Sequence, residues 1–265
     1  MAMSFRALYT ILFISFSIVI SPRAALADGL ADIRKAGILR IAIPEDFPPF
    51  GSVGMDLSPR GYDVEMANLV AKSIGVRVEL IAVKSIDRIP YLQGKKVDLV
   101  ISSLGKNAER EKLIDFSEAY APFFSGVFGP PNLTAHSPQD LAGKTIALTR
   151  GSVEDVELSK IAPPTAILKR YDDNNGALTA FFSGEAQFIA TGNVVAATFV
   201  AWHTPKRPEV KFLIKNSPCY VGVNKSEPAL LAKVNEAIQK AKKDGSLSSI
   251  AKRWLGSELP EELRS

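Results

Sequence analysis

Apolar residues fall along this chain in short blocks of two alternating kinds. Compact β-rich runs at Leu39–Ile43, Val76–Val83 and Val97–Ser102 are separated by stretches in which apolar positions return every three or four residues. Met66, Val70 and Ile74 stand at i, i+4 and i+8, so an amphipathic helix is predicted over Tyr62–Ile74, stopping at Gly75. A shorter helix is predicted over Ile86–Leu92, and further strands at Lys144–Leu148 and Gln187–Ala190. Leu230, Val234, Ala237, Ile238 and Ala241 share one stripe of a helix predicted over Glu227–Lys243. Gly245 breaks it, and another begins at Leu247 and runs to Trp254. This alternation predicts α/β layers with mainly parallel sheets. No internal repeat is visible in the sequence.

The first 27 residues follow a different rule. Arg6 precedes an uncharged apolar run from Ala7 to Ile20, then Ser21-Pro22, then the small-x-small pattern of Ala25-Leu26-Ala27. These are the parts of a cleavable secretory signal, with cleavage expected after Ala27. The apolar run is too short to span a bilayer, which takes roughly 20 residues. No cysteine follows to carry a lipid.

Composition refines this picture. The 265 residues carry a net charge of +4, and removing Arg6 and Arg23 with the leader halves it, because no acid leaves with them. No dense basic block interleaved with aromatics appears, so a nucleic-acid partner is not expected. The lone Cys219 excludes an intramolecular disulfide. With only His136 and His203 beside it, no metal centre or other cofactor is expected.

Two apolar junctions suggest the domain plan. Tyr120–Gly129 ends at Pro130-Pro131, and Ser217–Val223 follows another proline-bearing stretch. If both segments cross between lobes, lobe one comprises residues 28–122 and 218–265, and lobe two residues 123–217. The two crossing strands then form a hinge, and the cleft between the lobes is the natural ligand site.

Five markers in order carry a resemblance. They are Leu39–Ile43 with Phe47-Pro48-Pro49-Phe50; Gly61-Tyr62-Asp63-Val64-Glu65; Arg88-Ile89-Pro90; Glu109-Arg110 with Ile114-Asp115-Phe116-Ser117 and Tyr120; and Asp244-Gly245-Ser246 with Ile250 and Trp254-Leu255-Gly256. Together they resemble the family 3 extracellular solute-binding proteins, the polar-amino-acid receptors of ABC importers. The resemblance implies a two-lobed, type II periplasmic-binding-protein fold and a ligand held between the lobes.

The resemblance also assigns roles. Arg110 would grip the ligand's carboxylate, a task suited to a planar guanidinium fork. It follows the predicted loop Ser102-Ser103-Leu104-Gly105, at a strand end where α/β sheets bind ligands. Read from spacing alone, Arg110 is equally a surface residue paired with Glu109 or Glu111. Ser85 and Arg88 match a Ser-x-x-Arg-Ile-Pro motif that holds the side-chain carboxylate of acidic ligands; the alternative is a helix cap by Ser85, with Arg88 paired to Asp87. Phe47 would form an apolar wall, with Phe50 in the core. In lobe two, the N–H groups of Gly151 and Ser152 would close on the carboxylate from the other side. Arg150 either adds a cation to the cleft or faces water.

The family pattern is broken in three places. Val153 replaces a hydroxyl residue, Gly105 replaces a common threonine, and Gly192 stands where an aspartate usually pairs with the ligand's α-ammonium. A buried ammonium without a counter-charge costs on the order of several kcal/mol. Thr191, Asn193, Asp172 and Asp173 are the candidate substitutes, or the ligand carries no such group.

The resulting expectation is a periplasmic, monomeric binding protein with no catalytic residue. It captures an amino acid or related carboxylate, with an acidic ligand favoured, and delivers it to a permease in the inner membrane. The basic-leaning helices from Glu227 to Arg253 are a solvated face or a surface for that permease. Two alternatives share the fold. One is a dehydratase of the prephenate or arogenate type, whose general acid would come from Glu154, Asp155, Asp173 or Glu185. The other is a ligand sensor acting through a signalling partner.

Overall fold

The structure, a computed structural model, describes residues 29–193, 195–196 and 208–264. The predicted leader and His203 lie outside them. Two five-stranded sheets, each covered by helices, make up the molecule. The first contains β1 (Ile38–Ile43), β5 (Arg77–Ala82), β6 (Leu99–Leu104), β7 (Ile114–Ala121) and β13 (Cys219–Asn224). The second contains β8 (Phe124–Gly129), β9 (Thr145–Thr149), β10 (Ile167–Tyr171), β11 (Phe188–Gly192) and β12 (Glu209–Asn216). A small sheet of β2 (Asp46–Phe47), β3 (Gly51–Val53) and β4 (Pro59–Arg60) follows β1.

The strand orders are β5-β1-β6-β13-β7 and β10-β9-β11-β8-β12. Each sheet therefore has one plan. A central strand lies between two parallel neighbours, and beyond the third strand comes one that has just crossed from the other sheet. The chain crosses at residues 122–123 and again at 217–218. Four of the five strands in each sheet run the same way, as expected, and the crossing strand is the exception. β1 pairs in parallel with β5 and β6, but β13 runs antiparallel to both β6 and β7. Likewise β9 is parallel to β10 and β11, while β8 is antiparallel to β11 and β12. A crossing strand enters from the opposite lobe, so it points against the strands it joins.

Helix placement follows the apolar stripes. α1 is Gly29–Ala36, and α2 (Tyr62–Ile74) buries Met66, Val70 and Ile74 against the first sheet and ends at Gly75 in the left-handed region, as its lack of a Cβ permits. On the same side lie α7 (Pro228–Lys243) and α8 (Ser246–Leu255). The short α3 (Arg88–Gln93) and α4 (Ala108–Leu113) complete lobe one, and α5 (Val153–Ile161) and α6 (Asn174–Ser183) cover the second sheet. β6 ends later than predicted. Ser103 and Leu104 continue the strand past Ser102 and are buried, although the polarity of Ser103 reads as a loop. The largest core cluster runs from the first sheet through Phe47, Phe50 and Phe123 into Ala147, Ala177 and Phe181. Among the described residues no helix is long and apolar enough to cross a membrane.

Candidate functional site

Four of the five sequence markers interlock as one scaffold. Gly61, at φ +140°, lets the chain pass against the Phe50 carbonyl, where a Cβ would come within 2.1 Å of the oxygen. Tyr62 N–H donates to the Pro49 carbonyl (3.0 Å) and Asp63 N–H to that of Phe50 (2.9 Å). Tyr62 Oη donates to the Tyr120 carbonyl (2.8 Å), and Tyr120 Oη to Asp63 Oδ1 (2.6 Å). Asp63 Oδ2 accepts the Ser103 N–H at 2.7 Å, fixing Ser103 at φ 41° on the cavity wall. Complete burial pushes the Asp63 carboxyl up to about 7, against the pull of these two donors. Glu65 of the same motif accepts from Arg253 and from Trp254 Nε1 (2.7 Å), tying α2 to the last marker.

This scaffold frames a cavity between the sheets. It is lined by Phe47, Ser85, Arg88, Ser103 and Gly105 from one side and by Ser125, Ser152, Glu154, Asn174 and Thr191 from the other, with Phe123 and Ser217 at the crossings. The enclosed space is about 20 Å³, room for little more than a water molecule. Direct bonds close the two halves on each other. Asp46 takes the Asn174 backbone N–H (2.6 Å) and side-chain Nδ2 (2.9 Å), and Asn107 Nδ2 donates to Glu157 (3.0 Å). Lys160 bonds Glu109 at 2.9 Å. A ligand larger than water therefore enters only if these contacts part.

A larger depression of about 260 Å³ opens on lobe one beside α1, where Arg40 pairs with Asp98 at 2.6 Å. The interlobe cavity is different, because its lining cation, Arg88, has no ion-pair partner among the described residues. Arg88 is buried, its Nε has no hydrogen-bond acceptor, and no carboxylate lies within ion-pair distance of it among the described residues. Burial lowers its pKa, with Asp46, Asp63 and Glu154 opposing from further away. Ser85 does not cap a helix; Lys84 and Asp87 occupy the cap positions there. The cap-and-pair alternative is thus not what the structure shows.

Arg110 is buried as well, not a surface residue. Its backbone N–H is capped by Asn107 (2.9 Å). Nη1 donates to the Gly105 carbonyl (2.8 Å), and Nη2 reaches across to the Gly151 carbonyl (3.0 Å). Burial first, and then the charge of Arg88, pull its pKa down to about 10. Two neighbouring, buried guanidiniums without an ion pair are costly unless an anion joins them.

The lobe-two expectations need adjustment. The Gly151 N–H donates to Asp155 (3.0 Å) and the Ser152 N–H to the Thr149 carbonyl (3.1 Å), while Ser152 Oγ caps α5 by accepting the Asp155 N–H (3.1 Å). The proposed pair of free backbone donors is therefore engaged inside the protein in this arrangement. Arg150 faces water and pairs with Asp172 at 3.3 Å. Asn193 Oδ1 accepts the Phe124 N–H (3.1 Å), and Asp173 caps α6 through the Gly176 N–H (2.8 Å). Of the proposed substitutes for the missing aspartate, Thr191 alone lines the cavity. Gly151, Gly192, Asn193 and Arg110 stand behind its wall.

The departures from the family pattern prove to be complementary. A Cβ on Gly105 would come within 2.7 Å of Val153 Cγ2, and one on Gly192 within 2.0 Å of Phe123 Cζ. Each glycine makes room for a bulkier side chain. Phe123 in turn packs against the stacked pair Phe47 and Phe50, tilted to the first (6.2 Å between centroids) and edge-on to the second (5.6 Å). Sequence reasoning had not placed Asp46, Phe123, Ser125, Asn174 or Ser217 at the site; no local motif marks them.

Among the described residues no cluster of His, Cys, Asp and Glu could hold a metal. Cys219 is fully buried in β13, and burial raises its thiol well above the ordinary range, which suits packing rather than nucleophilic chemistry.

A two-lobed α/β fold with an anion-seeking cavity at its hinge defines a solute-binding protein of type II architecture. Residues 39–257 match the bacterial extracellular solute-binding proteins, family 3, and the chain belongs to that family. It is 25% identical over 259 residues to the L-cystine-binding protein TcyJ of Escherichia coli K12, covering 96% of both chains. An ancestral arginine-binding protein bound to arginine superposes with a TM-score of 0.77 at 30% identity, over 82% of this chain and 98% of that one. An ancestral amino-acid-binding protein described as a precursor of cyclohexadienyl dehydratase gives a TM-score of 0.79 at 27% identity, over 86% of this chain and 99% of that one.

Proposed function

We propose that this protein is the periplasmic receptor of an ABC importer for an amino acid or closely related carboxylate, with an acidic ligand favoured. The observation that carries the reading is the pair of buried arginines, Arg88 and Arg110, beside one interlobe cavity without an ion-pair partner. Arg110 binds the α-carboxylate as the lobes open and re-close around it. Ser85 and Arg88 take a second acidic group. Phe47 supplies the apolar wall, and Ser103, Gly105, Gly151 and Ser152 shape the surroundings, with Gly192 and Asn193 forming the strand-end backing.

Lobe one comprises residues 28–122 and 218–265, lobe two residues 123–217, and the two crossings are the hinge. The leader is cleaved after Ala27, and the mature monomer hands its ligand to an inner-membrane permease without chemical change. A relative such as TcyJ, named for binding an amino acid, supports a transport role. A receptor of this kind works near micromolar affinity, about 8 kcal/mol. Charge-assisted bonds to two guanidiniums, several hydroxyls and an aromatic wall are a sufficient source.

A thermal-shift screen with amino acids, dicarboxylates and opines tests this. Binding to the native state raises the melting temperature as RT ln(1 + [L]/Kd) grows. At least one compound bearing a carboxylate should produce a clear upward shift. A screen in which no carboxylate shifts the transition would refute the receptor role. Steady turnover of prephenate or arogenate would replace it with the dehydratase reading.

A further inference from the structure

We infer that Glu154 takes over the task of the missing aspartate and receives the ligand's α-ammonium; this rests on the cavity being an amino-acid site, as proposed above. Position 192 cannot do so. A Cβ there would run into the Phe123 ring, which packs against the stacked rings of Phe47 and Phe50, so no acidic side chain fits without displacing an aromatic cluster. The nearby aspartates are engaged elsewhere. Asp46 holds Asn174, and Asp63 holds Ser103 and Tyr120. Asp155 holds the Gly151 N–H and Arg170. Asp172 faces solvent with Arg150, and Asp173 caps α6.

Glu154 differs from all of these. It sits in the first turn of α5, is buried, and lines the cavity itself. Its Oε1 accepts one hydrogen bond, from Ser125 Oγ at 2.8 Å, which aims the carboxylate. No cation lies within ion-pair distance of it among the described residues, although Arg88 and Arg110 are both near enough to feel its charge. The cavity thus has the Arg88 guanidinium on its lobe-one wall, with the buried Arg110 nearby, and the Glu154 carboxylate on its lobe-two wall, and these charges form no direct ion pair. That separation is the complement of a zwitterion. A ligand carboxylate bridges to the arginines, and its ammonium meets Glu154, so each buried charge gains an opposite partner. A ligand without an ammonium would instead set its own negative charge near Glu154.

Calorimetric titration of the full-length mature protein provides the test. The probes are the common L-amino acids and cystine, each beside its deaminated counterpart, for example L-glutamate beside glutarate. The wild type should bind its best amino acid at least 30-fold more tightly than the deaminated counterpart. Glu154→Gln, which keeps the shape and the bond from Ser125, should lose 30-fold or more toward the amino acid and change by less than about threefold toward the counterpart. Equal losses for both compounds, or no loss, would overturn the assignment. The wild-type preference alone, which needs no variant, does the same if it is absent. Binding of none of these compounds, amino acid or deaminated, would defeat the receptor reading itself, whereas binding of deaminated compounds alone would defeat only the present inference. Amino-acid binding untouched by Glu154→Gln would defeat only the present inference.

Discussion

The two lobes share one strand plan and divide the cavity unequally. Lobe one supplies both unpaired guanidiniums and a rigid frame, in which Gly61, Tyr62, Asp63, Ser103 and Tyr120 lock each other in place. Lobe two supplies hydroxyls, one buried carboxylate and the bulk of Val153, with Phe123 filling the space at the crossing. The difference teaches how a common scaffold is specialised. Glycines leave room for bulky apolar neighbours in both lobes: Val153 packs at Gly105 across the cleft, and Phe123 packs at Gly192 within lobe two. That keeps the closed form well packed.

The largest effect that would break this comparison concerns lobe one. Arg110→Ala should weaken binding of any carboxylate ligand by 100-fold or more in calorimetry, and a loss under threefold would show that the cation is merely structural. Arg88→Leu is next, and its two effects have opposite signs. It should lose tight binding of acidic ligands yet raise the melting temperature of the unliganded protein, because an unpaired buried charge becomes an apolar side chain, a change worth about 1 kcal/mol or more. A lower unliganded melting temperature would mean that Arg88 is already satisfied. Gly192→Ala should cost about 1–3 kcal/mol in chemical denaturation, since its Cβ meets the Phe123 ring. Phe123→Ala in the same background should relieve the overlap, and a plain additive loss would refute the pairing.

A smaller and pH-dependent effect belongs to Asp63. Its folded pKa of about 7 lies above the ordinary value near 3.9. Between those values the unfolded chain has already lost the proton that the folded protein still holds. The contribution of this group to stability is therefore greatest below pH 4 and declines as pH rises to 7. Asp63→Asn should flatten that slope in urea denaturation measured across pH 4 to 8; an unchanged slope would place the titration elsewhere.

Much of lobe one was legible in the sequence, because local patterns mark it. The helix at Tyr62–Ile74 ends where its stripe and Gly75 say it should, and Arg110 and Arg88 stand inside short motifs. The direction of the crossing strands was not legible, since a run of apolar residues is the same read parallel or antiparallel. Ser103 reads as a loop residue because polarity usually marks exposure, yet here the Asp63 carboxylate holds its N–H at a buried strand end. Lobe two's contribution was the least visible. Ser125, Glu154 and Asn174 come to the cavity from three separate elements and Ser217 from the second crossing, and their meeting depends on the tertiary fold alone. The partnerships of Gly105 with Val153, across the cleft, and of Gly192 with Phe123, within lobe two, likewise join positions far apart in sequence and have no signal along the chain.

The central claim is that two buried, unpaired arginines make this cavity a carboxylate receptor that opens and closes on its ligand. Calorimetric titration of wild-type and Arg110→Ala protein with the ligand found by thermal shift tests it most directly. The account predicts binding near the micromolar range for the wild type and no measurable heat for the variant, whose fold stays intact by circular dichroism. Equal affinities for the two proteins would contradict it.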